Sequence, residues 1–411
     1  MKAVVWHGIG DIRLDDVPEP RIEQPTDAVV RLTASAICGT DLHFIRGTMT
    51  GMKSGRILGH EGVGIVEQLG DEVRNFTVGD RVVICSTMSC GTCSYCRAGY
   101  TAQCDNANPG GPSAGTAFFG GPEPAGGIDG LQAEKARIPF AASTMVRLPD
   151  EVSDEQAILI SDIFPTAWFG ALLAEVSGGD TVAVFGCGAV GQFAIASSFL
   201  QGAGRVIAVD QHSDRLDLAR AQGAFTVNFE QEDPVEAIKK LTGGIGVDRV
   251  IDAVGVDAQH AHHGPAAHEA HEHEAEFAAE QKQVAPEQHP TKDGNWVPGD
   301  APSQVQRWAT KAVVKAGTIG IIGVYPVEAQ SFPLGVAMNR NLSVNLGNCN
   351  HRAYIPKLVE MVRAGAIDPL KIITKQERLT GALEAYKQFD KRLSGWTKTE
   401  LNPTSDRSSV Q

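Results

Sequence analysis

The sequence predicts an α/β protein of two domains, one built around a doubly wound parallel sheet and one rich in short strands. Its 411 residues exceed what one compact core accommodates and suit two domains of ordinary size. The spacing of apolar residues also changes at about Gly170, where short runs separated by Gly, Pro and Asp give way to strands that alternate with helices. Hydrophobic residues make up 42% of the chain, which is enough to fill both cores.

Before this change, short apolar or alternating runs bounded by turn-forming residues predict mainly β-structure. After it, continuous apolar runs alternate with helical patterns, and parallel strands need such crossover helices. An amphipathic helix is also predicted in the C-terminal part. In chain order the predicted strands are Ala3–Trp6, Ala28–Ala36, Gly62–Leu69, Arg81–Ile84, Thr181–Phe185, Arg205–Val209, Phe225–Asn228, Val247–Ala253 and Thr318–Val324, and the predicted helices are Val190–Gln201, Ser213–Gln222, Pro234–Thr242, Gln306–Ala316 and Ile355–Ala364.

Charge and apolar content argue against two classes of partner. The formal net charge is −13 and no basic block exceeds a few residues, which argues against binding to nucleic acid or to an anionic membrane. The almost uncharged stretch Thr181–Leu200 has the length of a membrane span, but its Gly and Ser residues and a turn motif favour a buried strand and helix. The N-terminus has no apolar run long enough for a secretory signal, so the chain is expected to be cytoplasmic.

The stretch Val256–Val305 interrupts the alternation of strands and helices. It is rich in His, Glu, Gln, Ala and Pro and poor in β-branched residues, so we expect a mobile insertion that acts as a solvated lid or flap. Adventitious metal binding by its histidines is the alternative. The histidines that could bind metal in this way are His260, His262, His263, His268, His271 and His273.

A glycine-rich segment follows the first strand of the predicted parallel sheet and opens the next helix. It reads Gly186-Cys187-Gly188-Ala189-Val190-Gly191, a G-x-G-x-x-G spacing whose missing side chains let the backbone approach a pyrophosphate at a helix N-terminus. The next strand leads to Asp210, nineteen residues beyond Gly191, where a carboxylate can bind both ribose hydroxyls and repel a 2′-phosphate. We therefore predict NAD(H) rather than NADP(H), although the nearby Arg215 could support either ribose. A glycine-rich turn of an unrelated α/β domain is the alternative.

Four of the eight cysteines lie between Cys90 and Cys104, in a stretch with almost no apolar residues. The spacing Cys90-x2-Cys93-x2-Cys96-x7-Cys104 lets four thiolates converge on one tetrahedral zinc ion and leaves no open position, so the site is predicted to be structural. An iron–sulfur cluster or a pair of disulfides is the alternative. The crowding of the thiols in a chain without a secretion signal favours the metal.

Two further segments, Cys38-Gly39-Thr40-Asp41-Leu42-His43 and Gly59-His60-Glu61-Gly62-Val63-Gly64, precede the four cysteines. Together with the cysteines and the glycine-rich turn, they come in the order seen in the zinc-containing medium-chain dehydrogenases. The sequence resembles that family over nearly the whole chain except the insertion. The resemblance implies a GroES-like catalytic domain at residues 1–163 with 347–411, and a Rossmann NAD-binding domain at residues 164–346 that carries the insertion at 256–305.

The same resemblance implies a second, catalytic zinc ion. Cys38 and His60 resemble the first two ligands of that ion in the family. Many members have a cysteine as the third ligand, but this chain has Asp162 at the matching position, as does the glutathione-independent formaldehyde dehydrogenase branch. Zinc accepts thiolate, imidazole and carboxylate together, and a harder ligand should leave the ion a stronger Lewis acid. Glu61 resembles a residue that lies beside the zinc and sometimes ligates it, and we expect a supporting role first.

Other matched positions imply how the proton and the cofactor are handled. Thr40 and His43 resemble the family's proton relay, in which the hydroxyl takes the substrate's proton and the imidazole passes it to solvent. Arg352 lies in a segment, Gly347-x4-Arg352-x3-Pro356-Lys357-Leu358, that resembles one whose arginine contacts the cofactor pyrophosphate. The cofactor-binding residues predicted from the turn and from the resemblance are Gly39, Gly186, Gly188, Val190, Gly191, Asp210, Arg215, Val254, Gly323, Val324 and Arg352.

Each of the catalytic residues also has an ordinary structural interpretation when it is taken alone. Cys38 and His60 suit a buried thiol and a core histidine, and Asp162 suits a helix N-cap. Thr40 suits a turn, and His43 suits the surface. The joint order of several spaced motifs favours the functional interpretation.

The predicted function is the zinc-dependent, NAD(H)-linked oxidation of a small substrate, either a primary alcohol or a hydrated aldehyde. The alternatives are a polyol or amino-alcohol dehydrogenase of the same family, an aldehyde dismutase that holds NAD tightly, and a binding protein without activity. By analogy with the family, the strand around Thr318–Val324 is expected to pair between the subunits of a homodimer or homotetramer.

Overall fold

A computed structural model describes residues 1–372 and 374–403, and the chain forms two compact units. The first unit comprises Met1–Pro165, His289–Trp296 and Cys349–Gln411, and the second comprises Thr166–Gln288 and Val297–Asn348. Residue 373 and residues 404–411, which fall in the predicted domain range 347–411, lie outside the described residues.

The described residues form sixteen strands and fourteen α-helices, joined by loops and short 3-10 turns. The strands are β1 (Lys2–Gly8), β2 (Asp11–Asp16), β3 (Ala28–Ile37), β4 (Arg56–Ile57), β5 (Gly62–Leu69), β6 (Arg81–Ile84), β7 (Lys135–Ile138), β8 (Met145–Arg147), β9 (Thr181–Phe185), β10 (Arg205–Asp210), β11 (Phe225–Asn228), β12 (Val247–Asp252), β13 (Val313–Ile321), β14 (Ser343–Leu346), β15 (Lys375–Arg378) and β16 (Thr399–Asn402). The helices are α1 (Gly39–Arg46), α2 (Ser94–Arg97), α3 (Ala141–Thr144), α4 (Asp154–Ser161), α5 (Ile163–Leu173), α6 (Ala189–Leu200), α7 (Ser213–Ala221), α8 (Pro234–Leu241), α9 (Ala266–Glu272), α10 (Glu274–Val284), α11 (Gln304–Ala312), α12 (Leu334–Asn339), α13 (His351–Arg363) and α14 (Ala382–Asp390).

The first unit is mainly β-structure. A three-stranded antiparallel sheet has the order β2-β1-β4, and a larger sheet has the order β15-β16-β3-β5-β6-β8, with β7 also paired to β3. In the larger sheet only β15 and β16 pair in parallel. Alternate residues of its central strands, such as Val30, Leu32, Val82 and Ile84, are fully buried in one core.

The second unit contains one sheet of six parallel strands in the order β11-β10-β9-β12-β13-β14. The order reverses at β9, the first strand of the sheet in the chain, which is the doubly wound arrangement that the sequence predicts. Helices α6, α7, α8 and α11 pack on the strands. Phe185, Ile207, Val250 and Trp308 lie in the core between the sheet and a helix layer.

Two predictions for this end of the sheet are wrong, one for the end of a helix and one for the pairing of a strand. Helix α11 ends at Ala312 rather than at Ala316, because β13 begins with the β-branched pair Val313 and Val314. Strand β13 also pairs with β12 on one side and β14 on the other, so it has no free edge for a second subunit. The exposed edge at this end of the sheet belongs to β14.

The predicted mobile insertion, Val256–Val305, is more ordered than its composition suggests. It contains α9 and α10, and Phe277 and Val284 are buried in the second unit. Residues His289–Trp296 belong to the first unit, where Trp296 is buried and its backbone N–H donates to Asp390 at 2.8 Å. A few widely spaced apolar anchors therefore fix a segment that is polar on average.

No single helix among the described residues is both long and apolar enough to cross a membrane. Helices α4 and α5 meet that requirement only as a pair bent by 43°. Most of their apolar residues, among them Ile158 and Phe164, are buried inside the protein. The stretch Thr181–Leu200 folds as strand β9, a turn and helix α6.

Candidate active site

The register of two neighbouring strands in the first unit brings Cys38 close to His60 and Glu61. Strand β3 pairs antiparallel with β5, and Ser35 lies opposite Gly62. The residues that follow β3 therefore lie beside the residues that precede β5. Cys38 comes directly after β3 and caps the N-terminus of helix α1, while His60 and Glu61 come directly before β5.

Asp162 reaches the same place from the end of helix α4. It is the residue between α4 and α5, and α4 packs on strands β3, β5 and β6. The preceding residue fixes this helix end, because the hydroxyl of Ser161 donates to the carbonyl oxygen of Ile84 at 2.6 Å and accepts from the backbone N–H of Gly62 at 3.0 Å. A helix end is thereby tied to two strands of the sheet.

The four side chains that meet at this place are all buried, and their ligand atoms lie within 4.8 Å of one another. They belong to Cys38, His60, Glu61 and Asp162. The Asp162 Oδ2 atom is 3.9 Å from Cys38 Sγ and 3.6 Å from His60 Nε2. Zinc–ligand bonds of 2.0–2.3 Å place neighbouring ligand atoms of a tetrahedral site about 3.5 Å apart. The four side chains are therefore spaced as a metal site requires.

Asp41 lies behind Cys38 and His60. Its Oδ2 atom accepts the backbone N–H of Cys38 at 3.0 Å and the side-chain amide of Gln132 at 3.1 Å. Its Oδ1 atom lies 3.4 Å from His60 Nδ1, so the opposite ring nitrogen, Nε2, points toward Asp162. The Tyr386 hydroxyl donates to Gln132 and orients that amide. Such outer partners fix the orientation of a histidine ligand.

His351 orients the Asp162 carboxylate. Its Nε2 lies 2.8 Å from Asp162 Oδ1, and its Nδ1 lies 3.0 Å from the Thr87 hydroxyl. Burial would raise the pKa of Asp162, but the hydrogen bonds from His351 and His60 outweigh burial and hold that pKa well below its usual range. Asp162 is thus an ionised carboxylate whose Oδ2 atom faces Cys38 and His60.

A buried lysine holds Glu61. Lys398 Nζ lies 2.5 Å from Glu61 Oε1 and also donates to the carbonyl oxygen of Ile37 at 3.1 Å. Strand pairing brings it there, because β16 aligns Thr399 with Ile37. Burial alone would lower the pKa of Lys398, but the Glu61 carboxylate raises it, so the ammonium group stays charged.

These residues fit a zinc ion. They offer a thiol, an imidazole and carboxylate oxygens, which are the donors that zinc takes together. Glu61 Oε2 is buried without a hydrogen-bond partner among the described residues, a situation that costs free energy unless a cation compensates it. Cys38, His60 and Asp162 would form the ligand set, with Glu61 beside it.

The two predicted relay residues lie on helix α1, three positions apart. Thr40 Oγ1 is 3.8 Å from Cys38 Sγ, so its hydroxyl lies at the edge of the metal-ligating set. His43 is buried, with Nδ1 2.8 Å from the Thr48 hydroxyl. The alternative interpretation of His43 as a surface side chain is therefore wrong, because helix α1 turns its ring into the core.

The four clustered cysteines form a second candidate metal centre, with sulfur atoms within 4.8 Å of one another. All four are free thiols, so the structure contains neither of the alternative disulfides. Backbone N–H groups point at the sulfurs: Cys90 Sγ accepts from Cys93 at 3.3 Å, and Cys104 Sγ accepts from Cys90 at 3.2 Å. Although burial opposes it, hydrogen bonds from Thr92 lower the pKa of Cys90 to about 6. This geometry is that of a closed tetrathiolate zinc site.

The glycine-rich turn of the second unit leaves the space that a dinucleotide phosphate needs. A Cβ at Gly191 would lie 1.8 Å from the carbonyl oxygen of Gly186, so that close approach requires glycine. Gly186 has φ +88° and touches Val254. A Cβ at Gly188 would meet only the guanidinium of Arg215, at 3.8 Å, so the start of α6 is open there.

Asp210 ends β10 beside this turn. Its carboxylate accepts the backbone N–H groups of Cys187 at 2.7 Å, Gln211 at 2.7 Å and His212 at 2.9 Å. A carboxylate has about four acceptor positions, so one is left for a ribose hydroxyl. Asp210 thus fixes the turn as well as offering an acceptor, a structural role that the sequence does not indicate.

The other predicted cofactor residues lie on both units. Gly323 and Val324 follow β13, and a Cβ at Gly323 would lie 2.2 Å from the backbone nitrogen of Gly255, next to Val254. Val190 lies in the first turn of α6. In the first unit, Gly39 is the first residue of helix α1 and Arg352 is the second residue of helix α13. Their roles stay predictions.

Comparison with known proteins identifies the family. A model described as "Alcohol dehydrogenase GroES-like domain" matches residues 24–150, and one described as "Zinc-binding dehydrogenase" matches residues 189–262. A zinc-type alcohol dehydrogenase-like protein of Bacillus subtilis is 38% identical over 98% of this chain and 100% of its own length. The chain belongs to the zinc-type alcohol dehydrogenase family. The predicted family, fold class and zinc cofactor are thereby confirmed.

Two more relatives bear on the fold and on the branch of this zinc-type alcohol dehydrogenase. The solved alcohol dehydrogenase of Thermus sp. ATN1 is 29% identical and superposes with a TM-score of 0.79 over 98% of this chain and 99% of its own. A glutathione-independent formaldehyde dehydrogenase of Pseudomonas aeruginosa is 35% identical over 64% of this chain and 68% of its own length.

Two site residues of this zinc-type alcohol dehydrogenase were not predicted from the sequence. His351 stands next to Arg352, which the resemblance singled out, and it carries no motif of its own. Lys398 lies in a short polar segment near the C-terminus, where a lysine normally faces solvent. Only the pairing of β16 with β3 reveals that Lys398 is buried beside Glu61.

Replacing His351 by leucine should weaken zinc binding at the Asp162 site by about 10- to 100-fold, because the carboxylate loses its orienting hydrogen bond. A His351→Gln variant keeps an N–H donor and should retain most of the affinity. Zinc release to a chelator measures both, with the four-cysteine zinc as internal reference. An exposed histidine replaced in the same way, His271→Leu, is the control. Release from His351→Leu at the wild-type rate and extent would show that His351 does not support the ligand.

Proposed function

We propose that this protein is a zinc- and NAD(H)-dependent dehydrogenase that oxidises a small primary alcohol or the hydrate of a small aldehyde such as formaldehyde. The observation that carries the proposal is the buried convergence of Cys38, His60 and Asp162. The carboxylate ligand in place of a thiolate supports the formaldehyde dehydrogenase branch, as does the similarity to the Pseudomonas aeruginosa enzyme.

The chain's own residues have separable tasks in this reaction. When bound, zinc supplies Lewis acidity that lowers the pKa of a substrate hydroxyl, and NAD accepts hydride. Cys38, His60 and Asp162 would hold the ion, and three protein ligands are the number typical of zinc sites that also take a substrate. Thr40 accepts the hydroxyl proton at the edge of this set. His43, one helical turn further along α1 and hydrogen-bonded to Thr48, takes the proton onward.

Asp210 and the turn around Gly188 support NAD(H) as the cofactor. Asp210→Ala should lower the ratio of kcat/KM with NAD to that with NADP by at least about 10-fold, because the carboxylate no longer binds the ribose or repels a 2′-phosphate. The exposed Asp217→Ala on α7 is the matched control and should leave the ratio unchanged. An unchanged ratio in Asp210→Ala would remove the basis for preferring NAD. Because Asp210 also fixes the turn, the circular dichroism of the variant is compared with that of the wild type.

The proposed function is tested by measuring turnover on formaldehyde, longer aldehydes, primary alcohols, polyols and amino alcohols, each with and without added NAD. Formate and NADH formed together from formaldehyde, only with added NAD, are the expected result. Equal amounts of formate and methanol without added NAD would instead identify a dismutase with trapped cofactor. Activity confined to polyols or amino alcohols, or none on any substrate with both zinc sites filled, would contradict the proposal.

We further propose that the protein is a homo-oligomer that pairs through the free edge of β14. Leu346 at the end of this strand is 68% exposed, and Leu334 and Met338 on the preceding helix α12 are 72% and 78% exposed. An exposed strand edge beside apolar side chains favours pairing with a second copy. A solution mass equal to one chain, measured by light scattering, would contradict this proposal.

A further inference from the structure

A third cluster of metal-ligating side chains lies in the second unit, at the two ends of the insertion. His260 and His262 follow β12, and Asp300 lies some forty residues further along the chain. Their ligand atoms lie within 4.8 Å of one another. The cluster is separate from the two candidate centres described above, whose residues all belong to the first unit.

Backbone contacts hold the two ends of the insertion together before any ion binds. The N–H of Ala301 donates to the carbonyl oxygen of Ala258 at 3.1 Å, and the N–H of Gly299 donates to Asp257 Oδ1 at 3.2 Å. Asp300 itself accepts the backbone N–H of His260 at 3.0 Å. The ligands are thus preorganised, which lowers the entropy cost of binding an ion.

The side chains surround one point. Asp300 Oδ1 is 3.0 Å from His260 Nδ1, and Asp300 Oδ2 is 4.0 Å from His262 Nε2. The centroids of the two imidazole rings are 4.5 Å apart. A divalent ion with bonds of about 2.0–2.2 Å to each group needs separations of about 3–3.5 Å, which small side-chain rotations provide.

Glu230 holds the imidazole of His262 from the side that faces away from Asp300. It lies 3.2 Å from His262 Nδ1, on the opposite side of the ring from the nitrogen that faces Asp300. Glu230 is itself held by the backbone N–H groups of His262 at 3.0 Å and His263 at 2.8 Å. A carboxylate that accepts the far N–H of an imidazole fixes the tautomer in which Nε2 is free to ligate a metal.

We infer that His260, His262 and Asp300 form a third metal site, selective for a divalent transition ion such as zinc or nickel. Two imidazoles and one carboxylate suit these ions better than calcium or magnesium, which prefer oxygen ligands. The three side chains are 34%, 50% and 35% exposed, so water completes the coordination and the ion exchanges with solvent. Bound there, it links the start and the end of the insertion.

Zinc binding to the untagged holoenzyme tests the inference. The protein is dialysed until its zinc content is constant, then equilibrated with micromolar zinc and measured by equilibrium dialysis and elemental analysis. One additional zinc ion per chain is expected, with at least 10-fold weaker binding in His262→Gln and in Asp300→Asn. The exposed His271→Gln, which lies in the same insertion, is the matched control and should bind like the wild type.

Either of two results in the zinc-uptake experiment would overturn the inference. One is a wild-type protein that takes up no zinc beyond its dialysed content, and the other is uptake by both His262→Gln and Asp300→Asn that equals the wild type. A second readout covers a variant that folds poorly: zinc should protect His260 and His262 of the wild type from modification by diethyl pyrocarbonate, as resolved by peptide mass spectrometry. Modification at the same rate with and without zinc also contradicts the site. Neither readout depends on dehydrogenase activity, so failure of the proposed function would be recognised separately.

Discussion

Replacing Cys38 by serine is expected to lower kcat/KM by about 10³-fold or more. A catalytic metal ion typically contributes several kcal/mol of transition-state stabilisation. Each increment of about 1.36 kcal/mol is tenfold in rate, so losing about 4 kcal/mol with the zinc proposed at the Cys38 site gives a factor of this size. Serine keeps the shape of the side chain but is a much poorer ligand for zinc than a thiolate. Steady-state kinetics and zinc analysis together measure the effect, and the zinc content should fall by one ion per chain.

Cys85→Ser is the matched control for this substitution. Cys85 is buried like Cys38 and lies in the same unit, but it belongs to neither candidate metal centre. It should therefore reveal the cost of burying a hydroxyl without loss of zinc. Wild-type turnover by Cys38→Ser with its zinc content reduced by one would mean that catalysis does not use this ion.

The second large effect is expected at the buried ion pair behind the site. Lys398→Met leaves the Glu61 carboxylate buried without its cation, and removal of one partner of a buried pair typically costs about 3–5 kcal/mol of unfolding free energy. The side chains of Lys398 and Glu61 are 1% and 0% exposed, so solvent does not soften this penalty. Urea denaturation of the zinc-loaded protein measures it.

Two further variants separate loss of the pair from loss of packing. Glu61→Gln combined with Lys398→Met removes both charges and should recover part of the lost free energy relative to Lys398→Met alone. Lys239→Met, which removes an exposed lysine paired with Glu236, should change stability by less than about 1 kcal/mol. A Lys398→Met variant as stable as Lys239→Met would show that the pair is not required for the fold around Glu61.

The elements that the sequence predicted well are those whose signal is local. Four strands begin and end at the predicted residues: Gly62–Leu69, Arg81–Ile84, Thr181–Phe185 and Phe225–Asn228. Their ends were predictable because an apolar run bounded by turn residues specifies a strand without reference to the rest of the chain. The glycine-rich turn was also readable, because the motif needs only a strand before it and a helix after it.

Contacts between residues that lie far apart in the chain could not be predicted from local sequence patterns. The resemblance singled out Cys38, His60 and Asp162, but their convergence depends on the register of β3 against β5 and on where α4 ends. Lys398 and His351 lie 337 and 189 residues from the carboxylates that they contact. No periodicity or spacing encodes such a contact, and both residues resemble ordinary polar positions.

The insertion illustrates the limit of composition. Its average polarity predicted a mobile segment, but a few residues such as Phe277 and Trp296 are buried and anchor it to the two units. Single anchors contribute little to an average over fifty residues, although each buries a large apolar area. The same segment brings His260, His262 and Asp300 together. Its histidine content made metal binding an alternative, but composition alone did not single out these three residues.

Anomalous diffraction at the zinc absorption edge tests the central claim most directly. The four-cysteine site provides an internal standard, because a peak there shows that the crystal contains zinc. We predict a second peak bonded to Cys38 Sγ, His60 Nε2 and Asp162 Oδ2, at distances of about 2.0–2.3 Å. A peak at the four cysteines without one among Cys38, His60 and Asp162 would contradict the account of the site and the function proposed from it.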